Sequence, residues 1–208
     1  MKNILIHGLG QNSKDWDTIK NELETRGISP IVPDLFDLTK GRELDYPTVY
    51  QAFSELCESY QDKLNLCGLS LGGLLALNYA IQYPKKINSL VLIGTPFEIP
   101  KGLLKFQNIV FRFMPKAVFQ NMGVSKKDFI RLSKSMVDLN FMDSATALDC
   151  PALILCGAKD KTNMESAKRF HEAMKNSKLV IVEDSGHEVN KDNPRKLVSI
   201  LQDFWVDN

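Results

Sequence analysis

The sequence predicts an α/β domain of about six mostly parallel strands, flanked by helices and carrying one helical insertion. Three observations carry this expectation. Short apolar, β-branched runs such as Ile4-Leu5-Ile6, Leu90-Val91-Leu92-Ile93 and Leu153-Ile154-Leu155 alternate with amphipathic stretches, the pattern of strand–helix–strand crossovers in a parallel sheet. Several of these runs are apolar at every position, as strands covered on both faces must be. The chain's 208 residues, 44% hydrophobic and 25% charged, suit a single domain with a sizeable core.

Taken in order, Ile4-Leu5-Ile6 ends at the turn His7-Gly8-Leu9-Gly10. Ser13 is placed to cap a helix through about Arg26, with Trp16, Ile19 and Leu23 on one face and Gly27 as its stop. Ile31-Val32 opens a second strand, and a helix is expected near Thr48 to Tyr60. The stretch Leu64-Asn65-Leu66-Cys67-Gly68-Leu69-Ser70-Leu71-Gly72-Gly73-Leu74 reads as a strand, a tight turn and a Leu-rich helix that Pro84 closes. A fourth strand over Ser89 to Gly94 follows. Residues 97–147 hold no convincing strand and read as short helices broken by Pro100, Pro115 and Gly123. Ala152 to Cys156 returns to the strand pattern. Thr162-x-x-Glu165 resembles a capping box for the next helix, Leu179 to Val182 forms the last strand, and Asn193-Pro194 opens the terminal helix. The chain thus divides into a core, residues 1–96 and 148–208, and a lid, residues 97–147, inserted after the fourth strand.

Composition excludes several classes of function. A net charge of +1 gives no reason to expect a nucleic-acid partner. No stretch approaches the roughly 20 apolar residues of a membrane span, and the N-terminus lacks the apolar region of about 7–15 residues of a signal peptide. Four cysteines without metal-type spacing read as reduced, small apolar residues, so a cytoplasmic location is expected. No metal or cofactor is called for. Oligomeric state is left open.

The chemistry gathers in four loops. Gly68-x-Ser70-x-Gly72 between a strand and a helix has the form of a nucleophile elbow, in which a strained turn lifts the serine hydroxyl clear of the sheet. A serine needs a base, and the base an orienting acid. Of three histidines, His171 sits mid-helix, His7 in the first glycine turn, and His187 just beyond the last strand, where ligand-binding loops of an open α/β sheet collect. His187 is the best candidate base. Asp160, after the penultimate strand, is the candidate acid, left available if Thr162 caps the following helix. Glu98, after the fourth strand, is the alternative acid. The backbone N–H groups of Leu9 and Leu71 are the candidate oxyanion-hole donors.

On the motifs His7-Gly8-Leu9-Gly10, Gly68-Leu69-Ser70-Leu71-Gly72-Gly73, Gly157-Ala158-Lys159-Asp160 and Ser185-Gly186-His187, the chain resembles the α/β-hydrolase superfamily over nearly its whole length. The resemblance implies the α/β-hydrolase fold, with Ser70 as nucleophile, His187 as general base and acid, and Asp160 as orienting carboxylate. It implies a serine hydrolase working by acyl transfer on a small-molecule substrate, and the small, mainly apolar insertion makes a carboxylic ester or thioester with an apolar acyl group the default expectation. The chain departs from the usual pattern by lacking an N-terminal β-hairpin. Carbon–carbon hydrolysis or lyase chemistry on the same triad is the main alternative, and a non-catalytic small-molecule receptor on this fold is an alternative of another class.

The insertion carries Leu103, Leu104, Phe106, Ile109, Val110, Phe111, Phe113, Met114, Phe119, Met122, Phe129, Met136, Phe141 and Met142. Helical stripes of this kind usually pack as core; an apolar acyl pocket is the sharper reading. Residues 100–142 hold eight basic side chains against two acidic ones, a net charge of +6. Such a run is ordinarily a solvated face, and a functional role would favour an anionic substrate or surface.

Overall fold

The computed structural model describes residues 1–96, 111, 115–121 and 124–208. Six strands form one sheet in the order β2-β1-β3-β4-β5-β6: β1 Lys2–Ile6, β2 Pro30–Ile31, β3 Leu64–Leu69, β4 Ile87–Ile93, β5 Ala152–Gly157 and β6 Ser177–Val182. Every neighbouring pair is parallel. The chain leaves β1 toward β2 and then returns past it to β3. The loops at the carboxyl ends of β1, β3, β5 and β6 therefore meet along one rim, the usual place for ligands in such sheets.

Period-two alternation sends successive side chains of each strand into opposite layers. Leu90 and Leu92 face one core with Ile4, Ile6, Leu66 and Ile154, whereas Val91 and Ile93 face the other with Leu5, Cys67 and Leu155. Helix α1, Asp17–Thr25, and the terminal helix, Pro194–Val206, cover the second layer through Ile19, Leu23, Leu201 and Phe204. The first layer is covered by α2 Leu35–Leu38, α3 Tyr46–Glu58 and α4 Leu71–Gln82. A polar ladder pins the register at the other end of the sheet. Asn65 in β3, 3% exposed, donates to Asn3 Oδ1 at 2.8 Å and accepts from Asn88 Nδ2 at 2.9 Å and Ser89 Oγ at 2.7 Å. A one-residue slip would strand those buried groups.

Beyond β4 the described part of the insertion forms α5 Lys116–Asn121, α6 Lys126–Ser135 and α7 Met142–Ala145. Phe119, Phe129 and Met136 are buried in the same core layer as α3 and α4, which is the plainer of the two expectations for these residues, and Leu132 and Ala145 join them there. Arg131 of the basic run pairs with Glu43 at 2.9 Å. Leu103, Leu104, Phe106, Ile109, Val110, Phe113, Met114, Met122 and Glu98 lie outside the described residues. The last third is completed by α8 Met164–Ala173, α9 Val189–Asp192 and α10 Pro194–Val206.

Three capping expectations are corrected. Asn12, not Ser13, caps the first helical segment. Its side chain accepts from Lys14 N while its own N–H donates to Asp15 Oδ2 at 2.8 Å, and a 3-10 turn over Ser13–Trp16 leads into α1. Ser13 instead donates through both its N–H and Oγ to Asp34. Thr162 does not cap α8; Asn163 holds that position, because the Asp160 carboxylate takes up the Asn163 N–H at 3.2 Å. Asn193 stands before Pro194 but gives no side-chain cap and donates to Glu183 O at 3.3 Å. Helix α2, capped by Asp34 through the Phe36 and Asp37 N–H groups, is short and has no apolar period to betray it.

The four cysteines are free thiols. Burial pushes each thiol up, that of Cys156 to about 12, so they behave as small apolar groups rather than thiolates.

Candidate active site

Ser70 joins β3 to α4 with φ 52 and ψ −110, a backbone conformation that costs a non-glycine residue about 1–3 kcal/mol. Surrounding contacts hold it in that conformation. The Ser70 N–H donates to Ile93 O at 2.9 Å, and Leu74 N–H returns to Ser70 O at 3.0 Å. A Cβ on Gly68 would strike the backbone of Gly72, and one on Gly72 would strike Ile6 O. Close approach of helix start to strand is thus what the two glycines provide.

Asp160 and His187 meet across the ends of β5 and β6. Their contact, His187 Nδ1 to Asp160 Oδ2, is 2.8 Å, with the Asp160 side chain 4% and the His187 side chain 41% exposed. Burial alone would raise the Asp160 carboxyl. Hydrogen bonds from His187 and Asn163 outweigh that cost and hold it below its ordinary 3.8. Asn163 was not singled out from sequence, yet its side-chain N–H₂ lies 3.0 and 2.9 Å from the two Asp160 oxygens and 3.1 Å from His187 Nδ1. Its one sequence cue, an Asn three residues after the Asp, is also that of an ordinary turn. Gly94, at φ +51, closes the gap between these residues and the elbow: a Cβ there would lie 2.9 Å from His187 Nδ1 and 3.2 Å from Asp160 Oδ2. Since Ile93 O holds Ser70 and the next residue abuts His187, the end of β4 sets the spacing between them.

His7 is not part of this pair. It is fully buried, with Nδ1 3.0 Å from Gly8 O and Nε2 2.9 Å from Leu35 N. A carbonyl can only accept and an amide N–H only donate, so the ring is neutral with its proton on Nδ1. Burial pushes it below its ordinary 6.5, outweighing the Gly8 carbonyl, Asp34 and Asp15, which pull upward. His7 thereby ties the Gly8-Leu9-Gly10 turn to the start of α2. His171 lies on the exposed side of α8 with Nδ1 2.9 Å from Ser177 Oγ. The Gly8-Leu9-Gly10 turn lies against the elbow, since a Cβ on Gly8 would reach Leu69 O at 3.3 Å and Ser70 Cβ at 3.5 Å. Leu71 opens α4, so its N–H precedes the first intrahelical acceptor.

Among the described residues no group of three or more His, Cys, Asp or Glu side chains is placed to hold a metal ion. No described helix is long and apolar enough to cross a membrane.

The family model for the alpha/beta hydrolase fold matches residues 4–136, well over half of the chain, and the chain belongs to that family. Curated relatives include Lipase 3 of Moraxella sp. (strain TA144), 27% identical over 225 residues that span 88% of this chain and 70% of the relative. Another is a putative 2-succinyl-6-hydroxy-2,4-cyclohexadiene-1-carboxylate synthase of Bacillus subtilis (strain 168), 22% identical over 97% of this chain and 89% of the relative. Among solved structures, an esterase of Exiguobacterium antarcticum superposes with a TM-score of 0.85 at 20% identity, covering 98% of this chain and 91% of that one. That superposition extends the shared fold across nearly the whole chain, including the segment around Asp160 and His187.

Proposed function

We propose that the protein is a serine hydrolase that cleaves a carboxylic ester or thioester with a small, apolar acyl group. The observation that carries this reading is the 2.8 Å Asp160–His187 pair on the same rim as Ser70 in its strained turn. Ser70 Oγ attacks the substrate carbonyl carbon as His187 Nε2 takes its proton. The carbonyl oxygen, now an oxyanion, accepts from the Leu9 and Leu71 N–H groups, each such donor being worth about 2.7–4 kcal/mol in the transition state. The imidazolium returns the proton to the departing alcohol or thiol, and the C–O or C–S bond breaks. Water then attacks the acyl-serine, giving its proton to His187, and the carboxylic acid leaves as Ser70 regains its hydroxyl. Asp160 stays ionised throughout, holding the ring with Nδ1 protonated. Residues 97–147 would act as the lid over this rim and supply the acyl pocket.

Ester and lipase names among the relatives favour ester chemistry. The synthase name of another relative favours the second reading, carbon–carbon cleavage or elimination on the same three side chains. Labelling by a fluorophosphonate, followed by a series of p-nitrophenyl esters of rising chain length, separates them. Wild type is expected to label and to turn over short esters, while Ser70→Ala and His187→Ala should lose both and keep the wild-type melting profile. Labelling without ester turnover would move the assignment to the second reading. A folded wild type that does not label at all would reject the hydrolase mechanism.

A further inference from the structure

Outside the Ser70, His187 and Asp160 set, a fully hydrogen-bonded polar cluster among the described residues joins the first loop of the chain to the last. Gln11, 1% exposed, and Asn190, 2% exposed, form a reciprocal amide pair: Gln11 Nε2 donates to Asn190 Oδ1 at 3.2 Å, and Asn190 Nδ2 to Gln11 Oε1 at 3.3 Å. The second Gln11 Nε2 hydrogen goes to Glu188 Oε1 at 2.8 Å, and Gln11 Oε1 also accepts from Gly8 N–H at 3.4 Å. The second Asn190 Nδ2 hydrogen reaches Asp15 O at 3.1 Å. Both hydrogens and both lone pairs of the Gln11 amide are therefore used. Its orientation is fixed, because Gly8 N–H can only donate and the Glu188 carboxylate only accept. Lys191 completes the cluster with Asp15 at 2.9 Å and Glu188 at 3.3 Å.

One end of this amide holds Gly8, next to Leu9. Its other end holds Glu188, next to His187. We propose that Gln11 is a positioning residue that clamps the loop presenting the Leu9 N–H to the loop carrying His187, keeping oxyanion donor and base at a fixed separation. The inference rests on the triad proposed above. A clamp of this kind acts on the transition state, since the ground-state ester does not need both groups aligned, and misplacement of about 1 Å can cost roughly 100-fold in rate.

The test exchanges the partners. Gln11→Glu sets a carboxylate against Glu188 and should lower kcat for a p-nitrophenyl ester by about 10- to 100-fold, with KM changed less than about threefold. Gln11→Glu/Glu188→Gln restores a donor at 188 facing an acceptor at 11, leaves Asp15 to Lys191, and should recover at least about threefold of the lost kcat, short of wild type because Asn190 Oδ1 still faces a carboxylate oxygen. Amide hydrogen exchange over residues 7–12 should accelerate in Gln11→Glu and slow again, toward wild-type protection, in the exchanged pair. Wild-type kcat in Gln11→Glu, an exchanged pair no better than the single variant, or equal protection in all three proteins would each overturn the clamp. If the wild type neither labels with fluorophosphonate nor cleaves esters, the hydrolase reading fails separately, and hydrogen exchange alone decides whether Gln11 holds the two loops.

Discussion

His7 shows how one buried side chain can carry a pH dependence without touching a substrate. Its Nε2 must stay unprotonated to accept the Leu35 N–H, and burial holds the ring below its ordinary 6.5. Between 6.5 and the lowered folded value the unfolded chain binds more protons than the native one, so stability falls as pH drops through that window. His7→Gln keeps an acceptor for Leu35 but does not titrate. Its unfolding free energy, measured by urea titration at a series of pH values, should be flatter than wild type below pH 6.5. Equal slopes would remove His7 from the account. Asp160 and Asp34, both held below 3.8, contribute stability that is present above 3.8 and lost only at more acid pH, whereas the His7 loss begins already as pH falls below 6.5.

At the scale of the element, the turn between β3 and α4 is defined by what does not fit. A Cβ on Gly68 meets the backbone of Gly72 and Gly73, and backbone cannot yield as a side-chain tip can. Gly68→Ala should cost about 1–3 kcal/mol in urea unfolding and slow fluorophosphonate labelling of Ser70, because the turn must move to admit the methyl. Unchanged labelling would mean that the turn tolerates the shift. This element was the most legible part of the sequence, since strand, glycines and helix all reported the same geometry. Asp160 and His187 were legible for a similar reason, standing just beyond apolar strands. Caps were not. Asn12 and Asp15 close their box within three residues, but neighbouring polar side chains offer rival caps at similar spacing. Asp34 and Asn163 are held in addition by Ser13 and His187, 21 and 24 residues away, which a local pattern such as Thr162-x-x-Glu165 cannot register. Gln11 was invisible for the same reason, its partners lying 177 and 179 residues away.

Across the whole molecule the two layers have separate duties. The face covered by α1 and α10 carries no residue of the proposed site, and Leu201 is fully buried there. Leu201→Ala should lower stability by about 2–5 kcal/mol while the folded fraction keeps its wild-type kcat; a loss of kcat would show that this layer reaches the rim. The other layer holds α3, α4 and the described helices of the insertion, and under the proposed function it is the one whose packing would bear on substrate.

The amide pair of Gln11 and Asn190 also imposes an order in time. A polypeptide is made from its N-terminus, and the Gly8-Leu9-Gly10 turn and Ser70 leave the ribosome long before His187 and Asn190 exist. Until then the buried faces of Gly8 and Gln11 have nothing to close on. On the proposed triad, a chain interrupted between residues 70 and 187 would carry its nucleophile without a base, so such partial translation products would be inert.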